Sequence, residues 1–206
     1  VGTFSLDIKT FLQKESKYII ALEIKALSKS IPTFDANLTA MLIPILEKIY
    51  KDSVAQIKIS FKPSDDDIFQ GLAQTYAKDR TADLVTNLEA STKAMLKSDL
   101  QQYMKDGLTP AEMAVKLQDN YAFSEARALT IARTETGFTW NHAAISTIKQ
   151  GGAKGVKVSD GDYDPDCAEV DGQNWSFDYA EDHLLQHPNC VRSFGPMGDD
   201  EELDEE

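Results

Sequence analysis

The sequence predicts an α+β fold: a mostly α-helical body, a small C-terminal module with short strands, and an acidic disordered tail. Three observations predict it. Apolar residues recur at helical spacing as far as Ile148. The pair Gly151-Gly152 ends that pattern. Beyond it come short alternating stretches, loops dense in Asp, Gly and Pro, and a closing run of acids. Four segments follow from these changes: residues 1–62, an N-terminal helical segment; 63–152, the helical body; 153–196, an Asp/Cys/His module; and 197–206, the tail.

Leu6, Ile8, Phe11, Leu12, Tyr18, Ile19 and Leu22 predict one or two helices within residues 5–32, interrupted towards Pro32. Leu42, Ile45, Leu46, Ile49 and Val54 predict a second helical segment over 35–60, with a kink at Pro44. Ser64 is placed to cap the next helix, and Asp65, Asp66 and Asp67 suit its positive end. That helix carries Ile68, Leu72 and Tyr76 towards Arg80. A separate apolar-periodic stretch runs from Leu84 to Met104 and ends at Gly107. Thr109, Pro110 and Glu112 then form a strong start signal for a helix reaching about Asn120. A last long helix begins near Ser124 and ends at Gly151. In the module, Val156-Lys157-Val158 reads as a strand, Trp175 and Phe177 as another, and residues 178–186 as a helical turn.

Composition narrows the function classes. With 206 residues the chain is long enough for one or two domains with a real core. A net charge of −13 argues against broad nucleic-acid binding, which needs clustered Lys and Arg to displace counterions. The tail from Asp199 carries seven acids, and the rest of the chain is still acidic without them. That run reads either as a solubilising end or as an arm for a basic partner. The longest apolar run, Ala40 to Leu46, is too short to cross a bilayer and contains a proline. No basic, then apolar, leader opens the sequence, and Val1 is not a methionine, so the chain is open to being part of a longer protein. Two cysteines point to an intracellular thiol pair or metal ligands before a disulfide framework; a Cys167–Cys190 disulfide would fit an extracellular location.

Chemistry-bearing residues concentrate in the last third. Arg133 and Glu135, two apart on a helix, point in different directions and reach separate partners. Arg133 is either a solvated surface residue or a bidentate clamp on the carboxylates of the following loop. Asp160, Asp162, Asp164 and Asp166 alternate, with Asp171 later. Alternating oxygens resemble a calcium loop, but Pro165 or Cys167 stands where the loop glycine belongs. The plainer reading is a turn in which Asp side chains accept from nearby backbone N–H groups. Cys167, His183, His187 and Cys190 offer four ligands of the kind zinc takes, although Pro188 breaks any helix just past His187 and no CxxC pair is present. The alternative is plain packing of buried cysteines. Nothing in the sequence orders Cys167 and His187 as a nucleophile and base. No nucleophile elbow, Walker loop or HExxH motif occurs.

Taken in order, Ala126 to Thr136 with Arg133 and Glu135, then Asn141, the Asp164-Pro-Asp-Cys167 to Asp171-Gly172 stretch and His187-Pro-Asn-Cys190 resemble the phage head-morphogenesis proteins. These are the minor head proteins of the Mu F type, also found in phage SPP1. The likeness spans roughly residues 65–195. It implies a low-copy, non-enzymatic virion protein that binds the portal, with the major capsid or scaffold protein as a further partner. Assembly would take place in the host cytoplasm, and the final place would be the capsid interior near the portal. The role would be capsid assembly or DNA delivery. Relatives carry extra cysteines; here Val170 stands in place of a second member of the first pair and Arg192 in place of the last. The expected structural cluster is Arg133, Glu135, Asp164, Asp166, Asp171 and Gly172, with His187 beside it. No cofactor is implied; zinc at the Cys/His set and calcium at the Asp loop are the candidates. The rival reading is a metal-dependent hydrolase or toxin-like effector carried in the particle, with the Asp loop holding the ion and His187 acting as base.

Overall fold

The computed structural model describes residues 34–60, 66–109, 112–113, 115–116, 120, 124–161 and 164–204. The helices expected over 5–32, the Ser64 cap, Pro110 and Asp162 lie outside the described residues. Three long helices lead: α1 (Phe34–Ser60), α2 (Asp66–Lys105) and α3 (Glu125–Gln150). The remainder is β1 (Val156–Ser159), α4 (Pro165–Ala168), β2 (Asn174–Trp175), α5 (Phe177–Asp182) and β3 (Ser193–Pro196). This is the predicted α+β arrangement of a mostly helical body followed by a small sheet module.

Each helix follows from its sequence. In α1, buried Leu42, Leu46, Tyr50 and Val54 fall four apart and form one stripe. Pro44 lies inside this helix without ending it. The two stretches expected either side of Arg80 are one helix of 40 residues, α2. The reason is compositional: no Gly or Pro stands between Leu72 and Asp106. Its buried face, Phe69, Ala73, Ala77, Thr81, Leu84 and Leu88, keeps a spacing of three or four throughout. Gly107, with φ 73°, then takes a left-handed conformation that a side chain would resist. The capping box forms as predicted. The Thr109 N–H donates to Glu112 Oε2 at 2.8 Å, and the Glu112 N–H donates to Thr109 Oγ1 at 3.4 Å.

The described residues fall into two compact units, those within 34–44 and 77–132, and those within 45–76 and 133–204. Each draws on two separate stretches of sequence. In the first, buried Arg127 donates to Thr92 Oγ1 at 3.0 Å and to Ser91 Oγ at 2.8 Å, which gives its charged head polar company in the interior.

The second unit has two apolar clusters. One gathers Tyr50, Val54, Phe69, Ala73 and Ala143. Beside it the rings of Tyr50, Tyr76 and His142 meet, with Tyr76 and His142 centroids 4.4 Å apart. Burial pushes the Tyr50 hydroxyl up to about 12 and holds His142 below its ordinary value. The unfolded chain therefore takes up the His142 proton first as pH falls. Stability contributed by neutral His142 is present above about pH 6.5 and declines below it. The urea midpoint should fall between about pH 7.5 and pH 5.5, and His142→Phe should make that fall smaller. Equal falls in both proteins would remove His142 from the account.

The other cluster is the core of the module: Ile145, Ile148, Val156, Val158, Trp175, Ala180 and Phe194. Its sheet is antiparallel in the order β2-β1-β3, with Val156 opposite Trp175 and Val158 opposite Phe194. Val156 and Val158 point inward and alternate with exposed Lys157 and Ser159. Gly155 is required where β1 begins, since a Cβ there would lie 2.6 Å from the Trp175 carbonyl oxygen. Phe177, expected in a strand, opens α5 instead, because Ser176 caps the helix by accepting from the Tyr179 N–H. β3 was not predicted; its Ser-Phe-Gly-Pro sequence is poor in strand formers and holds an edge place.

The acidic tail, expected to be disordered, makes defined contacts as far as Asp204. The Asp204 N–H donates to the Asn174 carbonyl at 2.9 Å, and the Asn174 N–H donates to Asp204 Oδ2 at 2.8 Å. Lys157 pairs with Glu201 at 2.6 Å, and Lys154 donates to the Asp199 carbonyl at 2.9 Å. Like-charge repulsion is offset here by two lysines and by backbone pairing to β2.

Candidate functional site

The predicted site residues separate into three groups. The first is the aspartate loop, which acts as a set of local caps. Asp164 is the N-cap of α4 and accepts from the Asp166 N–H at 2.9 Å, with Pro165 in the first turn. Asp171 accepts from the Asp160 N–H at 2.8 Å. Gly172 follows with φ 85°, and its N–H donates to the Val158 carbonyl at 3.0 Å. Asp164, Asp166 and Asp171 are exposed. The plainer expectation, Asp side chains bonding nearby backbone N–H groups, describes Asp164 and Asp171. Among the described residues these aspartates do not gather as a group able to hold a cation.

The second group corrects the expected clamp. Arg133 is exposed, and among the described residues it makes no ion pair with the loop. The clamp is Arg192, whose Nε donates to Asp160 Oδ2 at 2.8 Å with both side chains buried. Its Nη1 donates to the His183 carbonyl at 2.8 Å, and its guanidinium carbon lies 5.1 Å from the Trp175 ring centroid. The physical reason lies in register. Ser159 opposes Ser193 in the sheet, so Asp160 and Arg192 leave the same end of β1 and β3 as neighbours. Arg133, on α3, has no such register to hold it there.

The motif around Arg133 meets the module through different atoms. Thr134 Oγ1 accepts from the Asn189 N–H at 3.1 Å. Glu135 is buried, and its backbone carbonyl accepts from Thr139 Oγ1 at 2.7 Å. Asn141, buried on the same helix, donates from Nδ2 to the Leu184 carbonyl at 2.9 Å and to the Arg192 carbonyl at 2.8 Å. One side chain thereby ties two segments of the module to α3. Sequence reasoning missed the Asp160–Arg192 pair, Thr134 and the bonds of Asn141. The first has no local signal, because it follows from the pairing of β1 with β3.

The third group is the sulfur and imidazole set. Cys167 Sγ lies 3.3 Å from His187 Nε2 and 3.9 Å from Cys190 Sγ. Both cysteines are free and buried, and His187 is partly exposed. The donor atoms of the three residues lie within 4.8 Å of one another. Burial, then the neighbouring Cys190 and Asp160, pushes the Cys167 thiol up to about 12. Cys190 Sγ also lies 3.8 Å from Asp160 Oδ2, which joins this group to the buried ion pair. His183 is not part of the set. Its ring stacks on Tyr179 with centroids 4.0 Å apart, and its Nδ1 lies 2.8 Å from the Tyr179 carbonyl oxygen. The four expected ligands are therefore three. Two sulfurs and one imidazole are donors for a borderline-soft cation and not for calcium.

No known protein family, no curated protein and no solved structure matches the chain.

Proposed function

We propose that this chain is a minor head protein of a tailed phage, a low-copy structural component of the virion that binds the portal. The observation that carries this reading is the architectural use of its chemistry-bearing residues. Of the residues on which the family likeness rests, Arg133 to Thr136, Asn141, Asp164 to Gly172 and His187 to Cys190 lie in one compact unit. There Thr134, Asp164, Asp171, Asn141 and Arg192 serve as caps, loop ties and a buried pair. Residues used in this way tie the loops of a small module in place, as a docking component needs. The net charge of −13 suits a protein working among packed DNA without coating it. No described helix is long and apolar enough to cross a membrane. In this reading the chain assembles in the host cytoplasm and ends inside the capsid near the portal, with a role in head assembly or DNA delivery. The hydrolase alternative needs Asp164 as an ion ligand, whereas its Oδ1 caps α4.

The test is co-purification of the chain with the portal protein encoded in the same genome, with stoichiometry by native mass measurement. A stable complex at a low, fixed ratio is expected. A folded sample that does not bind the portal would overturn the proposal.

A further inference from the structure

We infer that Cys167, His187 and Cys190 form a zinc site with three protein ligands and solvent in the fourth tetrahedral position. The first argument is spacing. Zinc–sulfur bonds of about 2.3 Å and zinc–nitrogen bonds of about 2.0–2.1 Å, at tetrahedral angles, set two sulfurs about 3.8 Å apart and a sulfur and nitrogen about 3.6 Å apart. The corresponding separations here are 3.9 Å and 3.3 Å. The third separation, between Cys190 Sγ and His187 Nε2, is within 4.8 Å, so binding draws these two atoms together by up to about 1.2 Å while the other two separations change by a few tenths of an ångström.

The second argument is the orientation of the imidazole. His187 Nδ1 lies 3.0 Å from the Pro188 carbonyl oxygen. A carbonyl only accepts, so Nδ1 carries the proton and Nε2 turns its lone pair towards Cys167 Sγ. A backbone carbonyl holding the far nitrogen of a metal-binding histidine is the usual outer support of such sites.

The third argument is that the ligands are held independently of a metal. Cys167 sits on α4, whose first turn is fixed by the Asp164 cap and Pro165. Cys190 follows Asn189, which has φ 65°, and the Cys190 N–H closes a turn on the His187 carbonyl at 3.1 Å. The Asn189 N–H is anchored in turn on Thr134. Charge also balances. A divalent zinc and two thiolates sum to zero, and the Asp160–Arg192 pair beside Cys190 is itself neutral. Each thiol loses its proton to solvent as its sulfur joins the metal.

Two other uses of the same atoms fit less well. A disulfide needs the sulfurs about 2.05 Å apart, against 3.9 Å here. A cysteine nucleophile with His187 as base needs access for a substrate, and Cys167 has no exposed surface. The inference does not depend on the virion reading, because it concerns the isolated chain.

The experiment uses the full chain, purified reduced and free of chelators, titrated with cobalt(II) as the spectroscopic probe and then with zinc. Saturation at one cobalt per chain is expected, with intense tetrahedral d–d bands and a sulfur-to-cobalt charge-transfer band in the near ultraviolet. Zinc should displace the cobalt and slow the reaction of both thiols with a thiol reagent in the folded wild-type protein. Cys167→Ser and His187→Ala should each lose the charge-transfer band or weaken binding, with folding checked by tryptophan fluorescence. His183→Ala should bind as wild type. Added imidazole should shift the cobalt spectrum by entering the solvent position. Overturning results are no cobalt binding by folded wild-type protein, a weak six-coordinate spectrum, equal loss in His183→Ala, or a spectrum that imidazole does not move.

Discussion

Arg192→Met is expected to lower the unfolding free energy of the module-bearing unit by about 3–5 kcal/mol, because it leaves the Asp160 carboxylate buried without a cation. The pair is almost fully hidden, with side chains 1% and 0% exposed, so solvent cannot screen the loss. The substitution also removes the donor to the His183 carbonyl and the cation over Trp175. Both tryptophans, Trp140 and Trp175, lie in this unit, so tryptophan fluorescence in a urea titration reads its unfolding. Asp160→Leu combined with Arg192→Met should recover much of the loss, since a buried ion pair is replaced by apolar volume. Arg133→Ala should change stability by no more than about 0.5 kcal/mol, as expected of an exposed side chain away from such features. A large effect at Arg133 with a small one at Arg192 would reverse the assignment of the clamp.

Trp175→Ala is expected to cost a similar amount, about 3–5 kcal/mol, by leaving a cavity in the core of the module. Trp175 is 2% exposed and packs edge-on to Tyr179 at 4.9 Å, and it lies 6.0 Å from Phe194. Its Nε1 donates to Gln173 Oε1 at 2.9 Å, so the one polar atom of the ring is also satisfied. The remaining Trp140 still reports unfolding. A loss below about 1 kcal/mol would mean that the sheet and α5 collapse into the space, and that the module is softer than its packing implies.

The helices were legible because their information is local. Apolar spacing, the Gly107 stop and the Thr109–Glu112 box each act within a few residues, and the structure places elements where those signals fall. The division of α2 at Arg80 was an overreading: a polar patch in an amphipathic helix is not a break when neither Gly nor Pro is present. The site was legible in residue type but only partly in pairing. Cys167, His187 and Cys190 could be gathered from ligand chemistry. His183 could not be set apart from them, since its stacking on Tyr179 depends on a single turn of helix ending at that residue. Nor could Asp160 be assigned to Arg192, because that pairing follows from sheet register across 32 positions of chain. Thr134 and Asn141 carry no chemical signature; their importance comes from the backbone groups that other loops bring to them.

The contacts of the last acidic segment with Asn174 bear on association between copies. β2 is an outer strand of a three-stranded sheet, and its free N–H and C=O groups would template pairing with a second molecule. Asp204 takes up those groups at Asn174, and the Glu202 carbonyl accepts from Asn174 Nδ2 at 3.1 Å. The segment thus guards the sheet edge by occupying its hydrogen bonds. Two copies of this chain can then pair through that edge only after the segment is displaced.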